Sequence, residues 1–139
     1  MEFVLRSNRK IFKIDETTCR KMLQVAEAAK QNTFPKKGGY AAAVLTTKGN
    51  IYEGAAYCSD TYTLTMHGEA VALAHANLHG DRDIVAITGP NCHICKQLIW
   101  ENSLRSGIDI VVVMEEEGKI VQVPISKLMP YPWPEKAMV

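Results

Sequence analysis

The sequence predicts an α/β fold in which helices cover both faces of a mixed β-sheet. After an opening helix and a hairpin, extended and helical segments alternate along the chain, and this order favours a sheet with parallel and antiparallel strands. The 139 residues, 47% of them hydrophobic, suffice for one sizeable core and are too few for two ordinary domains. We therefore expect residues 1–139 to form a single domain.

The first half of the chain is predicted to form one helix and one hairpin. Apolar residues recur at helical spacing over about residues 15–32, and charged residues near both ends suit the helix dipole. The breaker Lys36-Lys-Gly-Gly39 follows this helix. The apolar run 40–45, the turn Lys48-Gly-Asn50 and the run 51–54 then predict a β-hairpin.

The second half alternates helices with strands that have the composition of buried strands. The predicted helices cover about residues 67–79 and 92–102, and glycines end or follow both of them. The predicted strands and a final short helix cover residues 84–88, 108–114, 119–123 and 125–129.

The charge balance disfavours a nucleic-acid or membrane partner. Sixteen basic side chains oppose fifteen acidic ones, so the formal charge of +1 provides no general attraction to phosphate backbones or anionic lipids. Polynucleotide binding would need a local patch, for which the basic clusters at residues 6–13 and 36–37 are the candidates. No apolar run approaches the ~18 residues of a membrane span, and the first ten residues lack a signal-peptide pattern. We expect a soluble, cytoplasmic protein that acts on a small molecule.

Candidate metal ligands stand at the starts of two predicted helices. Cys92 and Cys95 are three residues apart and so share one face of a first helical turn, where the helix dipole favours the thiolate. His67 begins the other helix and offers an imidazole. One imidazole and two thiolates suit Zn²⁺ and leave the fourth tetrahedral position for water.

Glu69 is the candidate acid and base beside this metal. Zinc lowers the pKa of a bound water toward ~7, and a neighbouring carboxylate can take its proton and pass it on. Taken singly, these residues are ordinary, because histidines and cysteines are common in cores and a first-turn glutamate suits the helix dipole. Together, His-x-Glu followed by Cys-x-x-Cys at two helix starts is typical of zinc nucleobase deaminases.

The chain resembles the cytidine deaminase family over about residues 15–133. The resemblance rests on Gly49-Asn-Ile-Tyr-Glu-Gly54, Tyr62-Thr-Leu-Thr-Met-His-Gly-Glu69, Cys92-His-Ile-Cys-Lys-Gln97 and Pro124-Ile-Ser-Lys-Leu-Met-Pro130. It implies a three-layer α/β/α sandwich with a five-stranded sheet, assembled as a homo-oligomer, either a tetramer or a dimer, with active sites near subunit boundaries. It also implies zinc-dependent hydrolytic release of ammonia from a cytosine-type base, with Glu69 as proton shuttle and His67, Cys92 and Cys95 as metal ligands.

The chain departs from this family where the substrate would bind. The Asn and Glu that hold the ribose hydroxyl in the family are replaced by Ala56 and Cys58, and neither can act as a carboxylate acceptor. Phe34 is displaced from its usual stacking position by the apparent insertion after it, and Asn91 replaces the proline before the first cysteine. Trp133 corresponds to a C-terminal aromatic of the family and is a candidate to reach a neighbouring subunit's pocket.

Three functions follow as alternatives. The default is deamination of cytidine or deoxycytidine, and the first rival is deamination of a modified or non-ribose aminopyrimidine. The second rival is a non-catalytic, zinc-stabilised module in which Cys58 closes the metal site as a fourth ligand, instead of lying as a loop thiol beside the pocket. Editing of RNA or DNA shares the same chemistry but is disfavoured by the charge balance. His75 and His79 are four residues apart and are interpreted as a solvated helix face rather than a second ligand pair.

Overall fold

A computed structural model describes residues 1–6 and 8–139 and confirms the mixed α/β fold. The strands and helices of these residues are, in chain order, β1 (Phe3–Arg6), β2 (Arg9–Phe12), α1 (Glu16–Ala29), β3 (Ala41–Thr46), β4 (Ile51–Ala55), α2 (Gly68–Leu78), β5 (Ile84–Thr88), α3 (His93–Ser106), β6 (Val111–Glu116) and β7 (Lys119–Pro124). Short 3₁₀ turns cover Lys30–Asn32, Tyr62–Leu64 and Ile125–Leu128.

Five strands form the main sheet, in the order β4-β3-β5-β6-β7. The β5–β6 pair is parallel and the other three pairs are antiparallel, so the sheet is mixed as predicted. Strands β3 and β5 are buried along their whole length. Because successive side chains point to opposite faces, such strands must be covered on both sides. Helix α1 supplies one cover, and α2 and α3, which contact each other, supply the other.

The predicted boundaries of helices and strands hold within a few residues, and the difference at the start of β6 is the informative one. Helix α3 continues to Ser106 and ends at Gly107, whose φ of 73° lies in the left-handed region that glycine adopts without strain. The predicted strand 108–114 enters the sheet ladder only at Val111. Residues 108–110 are buried but bond elsewhere, since Asp109 N donates to the Lys10 carbonyl and Lys10 N donates to the Gly107 carbonyl.

An N-terminal hairpin explains those contacts, and the sequence analysis did not predict it. Strands β1 and β2 pair antiparallel as a separate two-stranded sheet. Arg9, expected only as part of a basic cluster, lies over the Trp100 ring at 4.6 Å and donates to Ser103 Oγ at 3.0 Å. The sequence analysis interpreted Arg9–Phe12 as part of a basic cluster, whereas these residues form β2, in which the side chain of Arg9 contacts α3.

Two glycines position the start of α2 against the β3–β4 hairpin. A methyl group at Gly54 would overlap the backbone of Ala72 and the carbonyl of Gly68. A methyl group at Gly68 would lie 2.9 Å from the Gly54 carbonyl oxygen and 3.0 Å from Ala41 Cα. This backbone contact sets the position of the first turn of α2, which begins directly after His67 and contains Glu69.

Among residues 1–6 and 8–139, no helix has both the length and the apolar character needed to cross a bilayer.

Candidate active site

The ligand atoms of His67, Cys92 and Cys95 meet at the starts of α2 and α3. His67 Nδ1 lies 3.4 Å from Cys92 Sγ and 3.2 Å from Cys95 Sγ. His67 is the N-cap residue of α2 and Cys92 that of α3, and neither side chain caps its own helix. Both side chains are therefore free to face the cleft between the two helix starts. The structure thus brings together the three residues that the sequence analysis singled out as metal ligands.

This donor set fits a zinc ion. All three ligand atoms lie within 4.8 Å of one another. Tetrahedral coordination with Zn–N and Zn–S lengths of ~2.0–2.3 Å places the imidazole nitrogen and a thiolate sulfur about 3.5 Å apart. The observed separations of 3.2 Å and 3.4 Å are close to that value. Within the described residues this is the one group of three or more such side chains, and Cys58 is not a member.

The surroundings of the Cys95 thiol disfavour its thiolate form. Burial raises its pKa, and the neighbouring carboxylate of Glu69 raises the pKa further. The sequence analysis expected the helix dipole to ease deprotonation, and at Cys95 burial and the carboxylate act in the opposite direction. Metal binding at this cluster therefore competes with protons and weakens as the pH falls.

Glu69 is a buried carboxylate with one oxygen held and one free. The residue is 2% exposed, and its Oε2 accepts a hydrogen bond from Asn91 Nδ2 at 2.9 Å. Its Oε1 is buried without a hydrogen-bond partner among the described residues. A buried acceptor without a donor is destabilising, which is why such atoms are rare outside functional sites. Oε1 is thus available to accept and return a proton.

Sequence reasoning did not assign a role to Asn91. Its Nδ2 donates to Glu69 Oε2 and also to the Thr88 carbonyl at 3.0 Å, so it joins the end of β5 to the start of α2. The available signal was the replacement of the family's proline by a residue with a side-chain donor, directly before a candidate ligand.

A cavity of about 870 Å³ opens onto Glu69 and the metal cluster. Three of the four predicted substrate residues, Phe34, Ala56 and Cys58, lie on its wall. The Phe34 ring stacks on Tyr57 with centroids 4.4 Å apart. Other lining residues come from the segments around them, namely Thr33, Pro35, Lys36, Lys37, Gly38, Gly39, Tyr40, Ser59, Asp60, Thr65, Gly68, Pro90 and Asn91.

Trp133, the fourth predicted substrate residue, lies outside this cavity. Its backbone carbonyl accepts a hydrogen bond from Gln97 Nε2 at 2.8 Å, and the following Pro134 carbonyl accepts one from Trp100 Nε1 at 2.7 Å. These bonds hold the C-terminal segment on α3, and the Trp133 side chain is 71% exposed. Its approach to a neighbouring subunit's pocket stays a prediction.

His75 and His79 do not join the metal cluster. Both rings pack around Tyr52, at centroid distances of 5.2 Å and 5.3 Å, and His75 Nδ1 bonds to the Glu53 carbonyl at 2.8 Å. The two histidines therefore lie at the surface beside β4, and neither lines the cavity.

The fold and the site together define a class of protein. A three-layer α/β/α sandwich carries an imidazole and two thiols at two helix starts beside a buried carboxylate. This combination of fold and side chains is typical of zinc hydrolases that act on C–N bonds. Residues 14–115 match the family model described as the cytidine and deoxycytidylate deaminase zinc-binding region. The chain belongs to this family of zinc deaminases.

Solved structures of bacterial cytidine deaminases share the fold. The enzyme from Burkholderia pseudomallei is 20% identical, with a TM-score of 0.67, over 82% of this chain and 98% of that one. The enzyme from Mycobacterium tuberculosis is 17% identical (TM-score 0.66, 87% and 98% covered), and that from Bacillus anthracis is 16% identical (TM-score 0.60, 83% and 89% covered). No curated protein matches the sequence significantly. At these identities the likeness concerns the fold.

Proposed function

We propose that this protein hydrolytically deaminates a cytosine-type base in a small molecule and releases ammonia. One observation carries the proposal: the buried Glu69 carboxylate, whose Oε1 has no hydrogen-bond partner among the described residues, lines a cavity beside the three-ligand cluster. An acid and base that exchanges protons with a ligand needs an oxygen that the protein itself does not occupy.

His67, Cys92 and Cys95 would hold the zinc, which when bound supplies a nucleophile by lowering the pKa of water to near neutrality. Glu69 accepts the proton that this water loses, at Oε1. As the oxygen of this water bonds to the amine-bearing carbon, Glu69 passes that first proton to the ring nitrogen of the base. Glu69 then takes a second proton from the hydroxyl group of the adduct and gives it to the departing amine, so that the hydroxyl becomes a carbonyl, the C–N bond breaks and ammonia leaves. Burial of Glu69 excludes bulk water from these transfers.

Cytidine or deoxycytidine is the default substrate, and the cavity wall supports a second candidate. Ala56 offers a methyl group and Cys58 a weakly polar thiol at the positions that the resemblance assigns to sugar recognition. A volume of about 870 Å³ exceeds the need of a base alone. The absence of strong hydrogen-bonding groups at these two positions favours a modified or non-ribose aminopyrimidine as the alternative substrate, whereas the volume also admits a nucleoside.

The non-catalytic alternative requires Cys58 on the metal. Cys58 lies on the cavity wall and outside the three-ligand group, which supports a site with an open fourth position. X-ray absorption of the zinc-loaded protein separates the two: three protein ligands favour the enzyme, and four favour the module.

We also propose that the protein is a homo-oligomer. The C-terminal segment presents Tyr131 and Trp133 fully or largely to solvent, and such aromatic side chains are typical of subunit contacts. Light scattering of the purified protein measures the subunit number, and a monomer at micromolar concentration would contradict this proposal.

The decisive experiment combines a metal assay with ammonia release from a panel of amines. The panel contains cytidine, deoxycytidine, cytosine and base-modified analogues. We expect one zinc per chain and turnover of at least one amine, lost on chelation and restored by zinc. Absence of stoichiometric zinc, or bound zinc without turnover of any amine, would refute the proposed deaminase activity.

A further inference from the structure

We propose that Asn91 is a positioning residue that holds the Glu69 carboxylate in the orientation needed for proton transfer. The inference rests on the proposed function, because it concerns the same carboxylate. It adds a residue that neither the motif nor the metal cluster includes.

The orientation of the Asn91 amide is determined by its neighbours. Asn91 is 8% exposed, and one of its nitrogen's hydrogens is directed to Glu69 Oε2 at 2.9 Å and the other to the Thr88 carbonyl at 3.0 Å. Both partners only accept hydrogen bonds when Glu69 is ionised. The amide oxygen could not replace the nitrogen there, so both donor hydrogens are committed.

Asn91 connects the carboxylate to the central sheet. Thr88 ends β5, and its Oγ1 accepts a hydrogen bond from Ala43 N in β3 at 3.0 Å. On the other side of the turn, the Tyr40 hydroxyl donates to the Pro90 carbonyl at 2.8 Å. The turn that carries Asn91 and leads into Cys92 is therefore held from two directions, and Glu69 is held to that turn.

The result is a carboxylate with unequal oxygens. Asn91 occupies Oε2, and no donor from residues 1–6 or 8–139 reaches Oε1. Without the amide, the carboxylate is free to rotate about its last torsion angle and neither oxygen has a preferred place. Proton transfer depends on hydrogen-bond reach of the reacting atoms, so loss of orientation lowers the rate of chemistry more than it lowers binding.

Asn91→Ala and Asn91→Asp test this role in the zinc-loaded protein. Asn91→Ala removes the donor, whereas Asn91→Asp keeps the shape but replaces the donor with a second carboxylate. Removing a partner that orients a group in a metal site typically costs about 10–100-fold. We expect kcat to fall by that factor in Asn91→Ala and by at least as much in Asn91→Asp, with KM changed less than about threefold and zinc content unchanged.

Asn102→Ala is the matched control, because Asn102 Oδ1, like Asn91 Oδ1, is buried without a hydrogen-bond partner among the described residues, whereas Asn102 is half-buried in α3 and lies away from the cavity. We expect its kcat to equal that of the parent. A merely structural role for Asn91 would instead lower the melting temperature or zinc content while leaving kcat per folded, zinc-loaded molecule unchanged, and that result would overturn the proposal.

Crystal structures of the parent and of both Asn91 variants provide a readout without turnover. We expect the Glu69 carboxylate to be rotated or spread over two conformers in the variants. If the parent deaminates no amine, the proposed function fails, and the structures alone decide on Asn91. A Glu69 carboxylate in the same place in all three structures would overturn the positioning role.

Discussion

Buried carboxylates stand near both ends of α2, and their surroundings differ. Among the residues that the structure describes, Glu69 in the first turn has one donor, Asn91, on one oxygen and none on the other. Asp81, just beyond the last turn, is 3% exposed, and its Oδ2 accepts hydrogen bonds from Thr46 Oγ1 at 2.9 Å, Asn50 Nδ2 at 2.8 Å and the Tyr52 hydroxyl at 3.1 Å.

The difference separates a carboxylate that holds the fold from one that is kept for a ligand. Burial alone would raise the pKa of Asp81, but the hydrogen bonds from Asn50, Thr46 and Tyr52 outweigh it, and the pKa lies below its ordinary value of 3.8. Asp81 thereby joins β3, β4 and the end of α2. Glu69 accepts only one hydrogen bond from the described residues, so its second oxygen can be satisfied only by a molecule that enters the cavity.

Glu69→Gln gives the largest expected effect on activity. Turnover of the best amine in the panel should fall by about 10²–10⁴-fold, because the amide cannot accept and return a proton. Zinc content and melting temperature should not fall, since an amide replaces a buried, incompletely bonded charge. Assays of ammonia release, zinc content and thermal unfolding on one preparation check this. Retained turnover would remove Glu69 from the chemistry.

Asp81→Ala should have the opposite effect to Glu69→Gln: it should lower stability and leave activity unchanged. It removes three hydrogen bonds to a charged acceptor and leaves the Thr46 hydroxyl buried without its partner, which costs about 2–4 kcal/mol of unfolding free energy. The kcat of the folded fraction should stay that of the parent. Urea unfolding followed by circular dichroism measures the loss. A variant as stable as the parent would show that the Asp81 cluster contributes little.

The pH dependence of stability in Asp81→Asn tests whether the ionised form of Asp81 stabilises the fold. Because the folded-state pKa of Asp81 is lowered, the stability it contributes is fully present above its ordinary pKa of 3.8 and is lost as the pH falls through the lower folded value. The difference in unfolding free energy between parent and Asp81→Asn should therefore be constant from about pH 5 to 7 and shrink below about pH 4. A difference independent of pH would show that the ionised form has no advantage.

Cys58→Ser should give the smallest effect. The residue lies on the exposed cavity wall and outside the metal cluster, so zinc stoichiometry should be unchanged and KM should shift by less than about tenfold. Cys95→Ser, which replaces a buried member of the cluster, is the positive control and should lower zinc content. Loss of zinc in Cys58→Ser would instead favour the module with four protein ligands.

Most of the main sheet and its helices could be predicted, because their signals are local. The apolar run of β3, the turn at Gly49 and the glycine after α3 all act within a few residues, and these elements lie where the sequence analysis expected them. The hairpin of β1 and β2 was not predicted, because the contacts that connect it to the rest of the fold, those of Arg9 with α3 and of Lys10 with residues 107–109, join segments far apart in sequence.

The sequence by itself determined which chemistry the chain carries: an imidazole and a carboxylate at one helix start, two thiols at another, and glycines compatible with close packing. Side-chain type and helical spacing are local properties, so they can be read without coordinates. Only the tertiary structure decided that Asn91 holds one oxygen of Glu69 while the other stays free, that Cys58 stands apart from the cluster, and that Trp133 lies outside its own chain's cavity. Those facts depend on distances between segments that meet only when the sheet and its covering helices are assembled, and the spacing of residues along the chain does not encode such distances.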